Sequence, residues 1–465
     1  MRLGAQIAPF AFLFVLATRS LHAAPGYTVE EAVALALKQN PDIAIARKQV
    51  EAARGGVVEA RSGFLPSVVS TGLLRKRARQ EESRLRDNDY NASLRVVQNL
   101  YTGGAVTSQL AIARLIEEKR ICEYEAVAAR VGMDVRVAFY DVLLDRAKIR
   151  VREQSLGVLK DELKTQQERL SAGTVGELNV RRAQVALANE EPELIDAQTR
   201  LQNAYLRLGE LLGVESHGQT ITPPFEVAGQ LQYNRRHPDL NESLARAELN
   251  RPEVKARQKD VEIEEQQLLL DKSEMHPHVE AFSGYEVYSE RDPEIGREFN
   301  HGYVAGLNAS WHIFDGFATR GRVRATRARR DAAILALQAA RASASSDVRS
   351  AFLDMEQANR SLEAETRNVQ NADESLEMAK GNLAAGLGTQ LDVLQAATDV
   401  TRTRTTRLSA IYLYNVALTK LARATGRESE TYGFESQVLK TDAKNGRQKQ
   451  IFNLAKPPAS LGANK

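Results

Sequence analysis

The sequence predicts a mainly α protein with a small β part, built as two tandem copies of one unit. Three observations carry this. Landmarks recur at a fixed displacement: Leu170-Ser-Ala-Gly173 is answered by Leu383-Ala-Ala-Gly386, Leu178-Asn-Val180 by Leu391-Asp-Val393, and Leu100-Tyr-Thr-Gly103 by Ile313-Phe-Asp-Gly316. Apolar residues fall at strict sevens through Ile121, Ala128, Val135, Val142, Ile149, Leu156, Leu163 and Leu170, and the equivalent positions of the second copy are apolar except Arg341. Just before each heptad run the period switches to two. A repeat of this length is a duplicated supersecondary unit rather than a short solenoid module.

Residues 1–24 read as a secretory leader, with Arg2, an apolar run from Ala8 to Ala17 and a small-residue end at Ala23-Ala24. That run is too short to span a membrane. The first structural repeat is expected over 25–213. It opens on helical pattern, with Asn40-Pro41-Asp-Ile43 matched by Arg251-Pro252-Glu-Val254 in copy two, and continues into strands at about 65–74 and 90–101. Ala92, Leu94 and Val96 alternate with Ser93 and Arg95, giving one apolar and one polar face.

From Ala105 to Ser171 the seven-residue repeat predicts a helix roughly 100 Å long at about 1.5 Å per residue, with the left-handed supercoil that a sustained heptad imposes. Gly173 stops it, since glycine takes the left-handed C-cap conformation at little cost. Helical pattern resumes at Leu178 after a connection so short that the two helices must run antiparallel. The hairpin tip is therefore expected at 171–177.

An inter-repeat linker follows at 214–240, broken by Gly218, Pro223 and Pro224. The second repeat, 241–426, has strands expected at about 279–288 and 302–314 and a tip at 384–390. On its last strand Tyr303, Ala305, Leu307, Ala309, Trp311 and Ile313 share one face, while Val304, Gly306, Asn308, Ser310 and His312 share the other. Tyr285 joins the apolar face from the strand before. An apolar face backed by a small polar face is the pattern of a lipid-facing barrel strand, so Tyr285, Tyr303, Leu307, Ala309 and Trp311 are the candidate lipid-facing residues. Residues 427–465 form a polar, largely aperiodic tail.

Composition excludes several functions. The formal net charge is +3, and removing the leader takes away Arg2 and Arg19, which leaves the chain near neutrality and without a nucleic-acid footprint. The single cysteine, Cys122, cannot form an intrachain disulfide. No stretch of about 18 uninterrupted apolar residues follows the leader, so no transmembrane helix is expected. Among the seven histidines none has helical metal-ligand spacing, and neither a Gly-x-Ser-x-Gly element nor a phosphate-binding loop is present. The chain is read as a non-enzyme without cofactor or metal.

Four strands cannot close on themselves, because the smallest membrane barrels need about eight and open edges in hydrocarbon leave backbone groups unpaired. Strands that enter a membrane must therefore oligomerise, and three chains would supply twelve. The alternative is a soluble periplasmic coiled-coil adaptor or scaffold, which has no use for two lipid-patterned hairpins.

The leader, the opening from Tyr27 to Ile43, the doubled strand-glycine-helix junctions and the Gly386-Leu-Gly388-Thr389-Gln-Leu391-Asp392-Val-Leu394 tip together resemble the TolC-like outer-membrane efflux protein family. The resemblance covers about residues 27–426. It implies a homotrimer with a 12-stranded outer-membrane β-barrel continuous with a periplasmic α-helical barrel, a passive exit duct that serves an inner-membrane pump through a periplasmic adaptor protein, in efflux or type I secretion. It also implies that the helical tips dock the adaptor, making Leu170, Ser171, Gly173, Gly176, Leu383, Gly386, Gly388 and Thr389 candidate contact residues. Asp392 matches an acidic residue that lines the closed periplasmic constriction in that family. Where some members carry a second acid, this chain has Gln395, and the copy-one equivalent of Asp392 is Asn179, so the implied ring holds one carboxylate per chain.

Overall fold

The structure, a computed structural model, describes residues 26–76, 88–214, 225–290, 292–295 and 299–426. The expected leader, the tail from 427, most of the two hairpin loops and the middle of the linker lie outside the described residues.

Copy one runs α1 (Val29–Gln39), α2 (Pro41–Ser62), β1 (Ser67–Lys76), β2 (Asn88–Tyr101), α3 (Ala105–Ser171) and α4 (Glu177–Leu212). Copy two repeats it with α5 (Leu240–Asn250), α6 (Pro252–Ser273), β3 (His278–Ser289), β4 (Phe299–Ser310), α7 (Ala318–Ala384) and α8 (Gln390–Ala424), plus a 3-10 turn at Pro293–Ile295. The long helices α3 and α7 are both 67 residues. Local chemistry sets the starts of the shorter helices. Thr28 and Glu31 form a capping box at α1, and Asn40 caps α2 ahead of Pro41, whose missing N–H is harmless at the first helical position. Asp239 caps α5 in the same way.

Two apolar cores occupy equivalent places. Val33, Ile43, Val135, Phe139, Val142 and Leu208 join α1, α2, α3 and α4, while Ala247, Val348, Met355, Tyr414 and Leu421 join α5, α7 and α8. Of the heptad positions in α3, Ala128, Val135, Val142 and Leu156 are buried. So are Ala129, Val131, Ala138, Phe139 and Leu143, which lie beside that seam. The reason is that α3 packs against α2 and α4 on one side and against α6 and α8 on the other. Helix α7 has α6, α5 and α8 as neighbours and an open flank.

The four strands form one antiparallel sheet in the order β1-β2-β3-β4. Its register respects the duplication: Leu74 faces Tyr90 as Tyr285 faces Tyr303, and Val68 faces Val96 as Val279 faces Ala309. Strand β1 starts two residues later than the alternation suggested, since Leu65 N–H closes the turn after α2 on Ser62 O at 2.9 Å. Strand β4 ends at Ser310 rather than near Phe314, because its partner β3 begins at His278 and offers nothing further to pair. Trp311 consequently sits just past the strand, 57% exposed, with its indole N–H donated to Met275 O at 3.1 Å.

Candidate functional site

Two regions carry the features that the sequence singled out, the helical tips and the sheet. At the first tip the α3 carbonyls are closed by Gly173 N–H to Leu170 O at 2.9 Å and Thr174 N–H to Arg169 O at 2.9 Å. At the second, Gly386 N–H reaches Leu383 O at 3.3 Å and Leu387 N–H reaches Asn382 O at 2.9 Å. Gly173 and Gly386 have φ of 70° and 73°, a left-handed backbone that strains any L side chain. Both are surrounded by open space. Gly388 is different: its N–H bonds Asn382 O at 3.1 Å, and a Cβ there would lie 3.0 Å from Asn382 Cβ. Leu178, Leu387 and Leu391 are more than half exposed around these turns.

Thr389 caps α8, and Asp392 completes the box. The Asp392 carboxylate accepts from Thr389 N–H and Thr389 Oγ1, each at 2.8 Å, while Thr389 Oγ1 receives Asp392 N–H at 3.4 Å. These bonds from Thr389 hold the carboxyl below the usual carboxylate range. Along α8 the exposed face continues as Asp392, Gln395, Asp399 and Arg402: Gln395 Nε2 bonds Asp399 at 3.4 Å, and Arg402 pairs with Asp399 at 2.7 Å. The opposite face, Val393, Ala396, Ala397 and Val400, packs on Leu376 of α7.

Gln390, 4% exposed, was not flagged by sequence reasoning. Its Nε2 donates to Asn179 O at 3.0 Å, tying the two tips together at the very residue that replaces Asp392 in copy one. Arg404 makes a second tie, pairing with Asp373 of α7 at 2.9 Å and reaching Gln154 of α3 at 3.5 Å. Thr401 donates to Ser155 at 3.0 Å. No periodic signal announces such single contacts.

The sheet separates two chemistries. On one face lie Val68, Leu74, Leu94, Tyr285, Tyr303 and Leu307, of which Tyr303 is 93% exposed and packs edge-on against Tyr285 at 5.2 Å. The other face carries polar links between strands. Thr71 and Ser93 share a hydrogen bond of 2.7 Å, Asn308 donates to Glu280 at 2.9 Å, and Arg95 pairs with Glu286 at 2.8 Å while lying 5.5 Å over the Phe282 ring. A sheet with large apolar side chains bare on one face and hydrogen-bonded polar pairs on the other, beside Val69 and Leu73 of β1, suits hydrocarbon outside and water inside. No described helix is long and apolar enough to cross a membrane. Among the described residues no group of His, Cys, Asp and Glu could hold a metal ion.

Helical hairpins of this length joined to a sheet with one bare apolar face are the plan of an envelope channel protein. The chain matches the outer membrane efflux protein family over residues 32–214 and 244–427, two blocks that coincide with the two copies, and it belongs to that family. It is an outer-membrane channel of a Gram-negative envelope with a large periplasmic portion, and the scaffold alternative is set aside. It is 26% identical over 398 residues to the protein CyaE of Bordetella pertussis, covering 85% of this chain and 83% of that one. Its fold is similar to the CmeC outer membrane channel of Campylobacter jejuni, with a TM-score of 0.73 at 17% identity, covering 90% of this chain and 89% of that one. It is also similar to VceC of Vibrio cholerae, with a TM-score of 0.72 at 16% identity over 86% and 96% of the two chains.

Proposed function

We propose that three copies of this chain close into one duct, a twelve-stranded barrel in the outer membrane above a helical tunnel in the periplasm. The duct passively conducts what an inner-membrane pump and its periplasmic adaptor deliver. The observation that carries this is the pair of unpaired sheet edges. Among the described residues strands β1 and β4 have no partner on their outer sides, whereas the β2 to β3 pairing inside the chain shows how a copy-one edge meets a copy-two edge. By the repeat, β4 stands to β1 of the next copy as β2 stands to β3, and each junction adds four strands until the ring closes.

The glycines support the same reading. Gly103 is pressed into the turn after α6, where an added Cβ would lie 2.6 Å from Ser273 O. Its equivalent Gly316 has φ of 63° and open space around it, as expected if the matching turn belongs to the next copy. The tips would then dock the adaptor through their bare leucines, and three Asp392 side chains would approach the tunnel axis at the periplasmic end.

Heat-resistant trimers in outer-membrane fractions, and single-channel conductance after reconstitution in planar bilayers, test the reading. Monomers confined to the soluble periplasm would contradict it.

A further inference from the structure

Immediately below β4 the chain turns strongly basic. Arg320, Arg322, Arg324, Arg327, Arg329 and Arg330 crowd the first turns of α7 with no acidic residue among them. At 100° per residue, Arg320, Arg324 and Arg327 share one face, and Arg322 and Arg329 share the opposite one. The opposite face is partly neutralised, with Arg322 at 3.6 Å from Glu274. Among the described residues, Arg320, Arg324 and Arg327 have no carboxylate partner.

The duplicated partner helix tells which of these survive assembly. Helix α3 is flanked on both sides within the chain, yet Thr107, Gln109, Arg114 and Ile116 remain exposed. Their equivalents in α7 are Arg320, Arg322, Arg327 and Arg329, so a neighbouring copy seated on α7 leaves these four uncovered, one pair inside the ring and one outside.

The sheet says which pair is outside. After the irregularity at the end of β2, Tyr101 pairs with Val279, and Val279 pairs with Ala309, which puts Tyr101 on the apolar face. Phe314 is the repeat equivalent of Tyr101. Its ring meets Phe317 at 5.4 Å, and the Arg320 guanidinium lies 5.3 Å from the centre of the Phe317 ring. The Arg320 side is therefore continuous with the lipid-facing side.

We infer that Phe314, Phe317, Arg320 and Arg327, with Arg324 on the same face at a position whose equivalent Ala111 is half-buried in copy one, form a clamp for anionic phospholipid headgroups of the periplasmic leaflet. The chemistry fits each layer: aromatic rings belong at the hydrocarbon boundary, and guanidinium groups make paired hydrogen bonds to phosphate. Headgroups occupy about 5 to 7 Å below the hydrocarbon. Arg320 to Arg327 covers about 10 Å of helix, and arginine side chains reach upward along it. The inference rests on the reading that this sheet face meets lipid.

Trp311 is the chain's single tryptophan and stands beside the clamp, so it reports which lipid is near. The protein is reconstituted in phosphatidylcholine vesicles carrying either brominated phosphatidylglycerol or brominated phosphatidylcholine, and Trp311 quenching by the two is compared. Wild type should prefer phosphatidylglycerol about fivefold or more, a preference that high salt weakens. R320Q/R324Q/R327Q should bring the ratio close to one, while R322Q/R329Q and R320K/R324K/R327K should keep most of it. If the glutamine variant does not assemble, the wild-type ratio and its salt dependence decide. Equal quenching of wild type by the two lipids overturns the clamp and leaves the lipid-facing sheet standing. Absence of quenching by either overturns the sheet reading itself.

Discussion

Helices α3 and α7 are the same element in two settings. They have equal length and equivalent places after a strand, but α3 is walled in on both sides and α7 on one. The difference shows at single positions. Cys122 of α3 is half-buried, and its thiol is pushed up by burial, with Lys255 and Lys259 of α6 near enough to oppose that shift. Its repeat equivalent in α7, Leu335, is 65% exposed. In the proposed trimer, this leucine, which the repeat places where copy one half-buries a cysteine, meets the next copy's α2. On the proposed ring, contacts inside one chain are the template for the contacts between chains.

The largest effect should come where the template meets lipid. Leu307→Arg puts a charge on the apolar face of β4 at a cost of about 2 to 4 kcal/mol per chain near the bilayer midplane. Trimer recovery from outer membranes should collapse, whereas Asn308→Arg and Ser310→Arg on the polar face should assemble nearly normally. Equal tolerance of both faces would contradict a sheet with one face in lipid.

Next in size is the open flank of α7. Burying a leucine contributes about 1.5 to 3 kcal/mol, so Leu335→Asp should reduce trimer yield about tenfold or more while leaving the fold of the chain intact by circular dichroism. Cys122→Ser, at the matching position already covered within the chain, should leave trimer yield unchanged. A trimer indifferent to Leu335→Asp would mean that α7 meets its neighbour elsewhere.

At the tips the two copies should behave alike. Replacing Gly173 and Gly386 with valine forces a β-branched residue into left-handed backbone at about 1 to 2 kcal/mol each. The expected outcome is loss of export with the trimer still in the outer membrane. Full export by the double variant would remove the tips from adaptor docking.

The smallest effect concerns Asp392, where the copies differ. Asp392→Asn should lose most of the cation selectivity and divalent block of the reconstituted channel, both of which a carboxylate ring supplies. It should also loosen the first turn of α8, measured by amide exchange. Because Thr389 lowers the folded carboxyl below its unfolded value, the ionised cap stabilises that turn above the ordinary carboxylate pKa. Its contribution fades as pH falls through the lowered folded value. The exchange difference between wild type and Asp392→Asn should therefore be full at pH 7 and gone in strong acid. Unchanged block in Asp392→Asn would leave helix capping as the residue's only role.

Much of this was legible in the sequence because it repeats or alternates. Heptads located the long helices, glycines located the tips, and the alternation along β4 separated Tyr303 and Leu307 from Asn308. What escaped was carried by lone contacts between distant segments. Arg146 bonds Val227 O at 2.8 Å, Asn415 Nδ2 bonds Gln232 O at 2.9 Å, and Arg236 N–H bonds Tyr414 Oη at 2.7 Å. These strap the linker across both helical hairpins. Each joins one side chain to one backbone group, which leaves no period to read. The all-round burial of α3 escaped for a related reason: a heptad marks one seam, and α3 has several.

The most direct test of the template is strand register between copies. Within the chain Leu94 faces Tyr285, and the repeat equivalents of those residues are Leu307 and Leu74. In a Cys122→Ser background, Leu74→Cys with Leu307→Cys should oxidise to covalent trimers, since directly opposed strand residues lie about 4.5 to 5.5 Å apart and within disulfide reach. Leu94→Cys with Tyr285→Cys should oxidise within monomers and serves as the control. Monomers only from the first pair, alongside complete oxidation of the second, would contradict the closed ring.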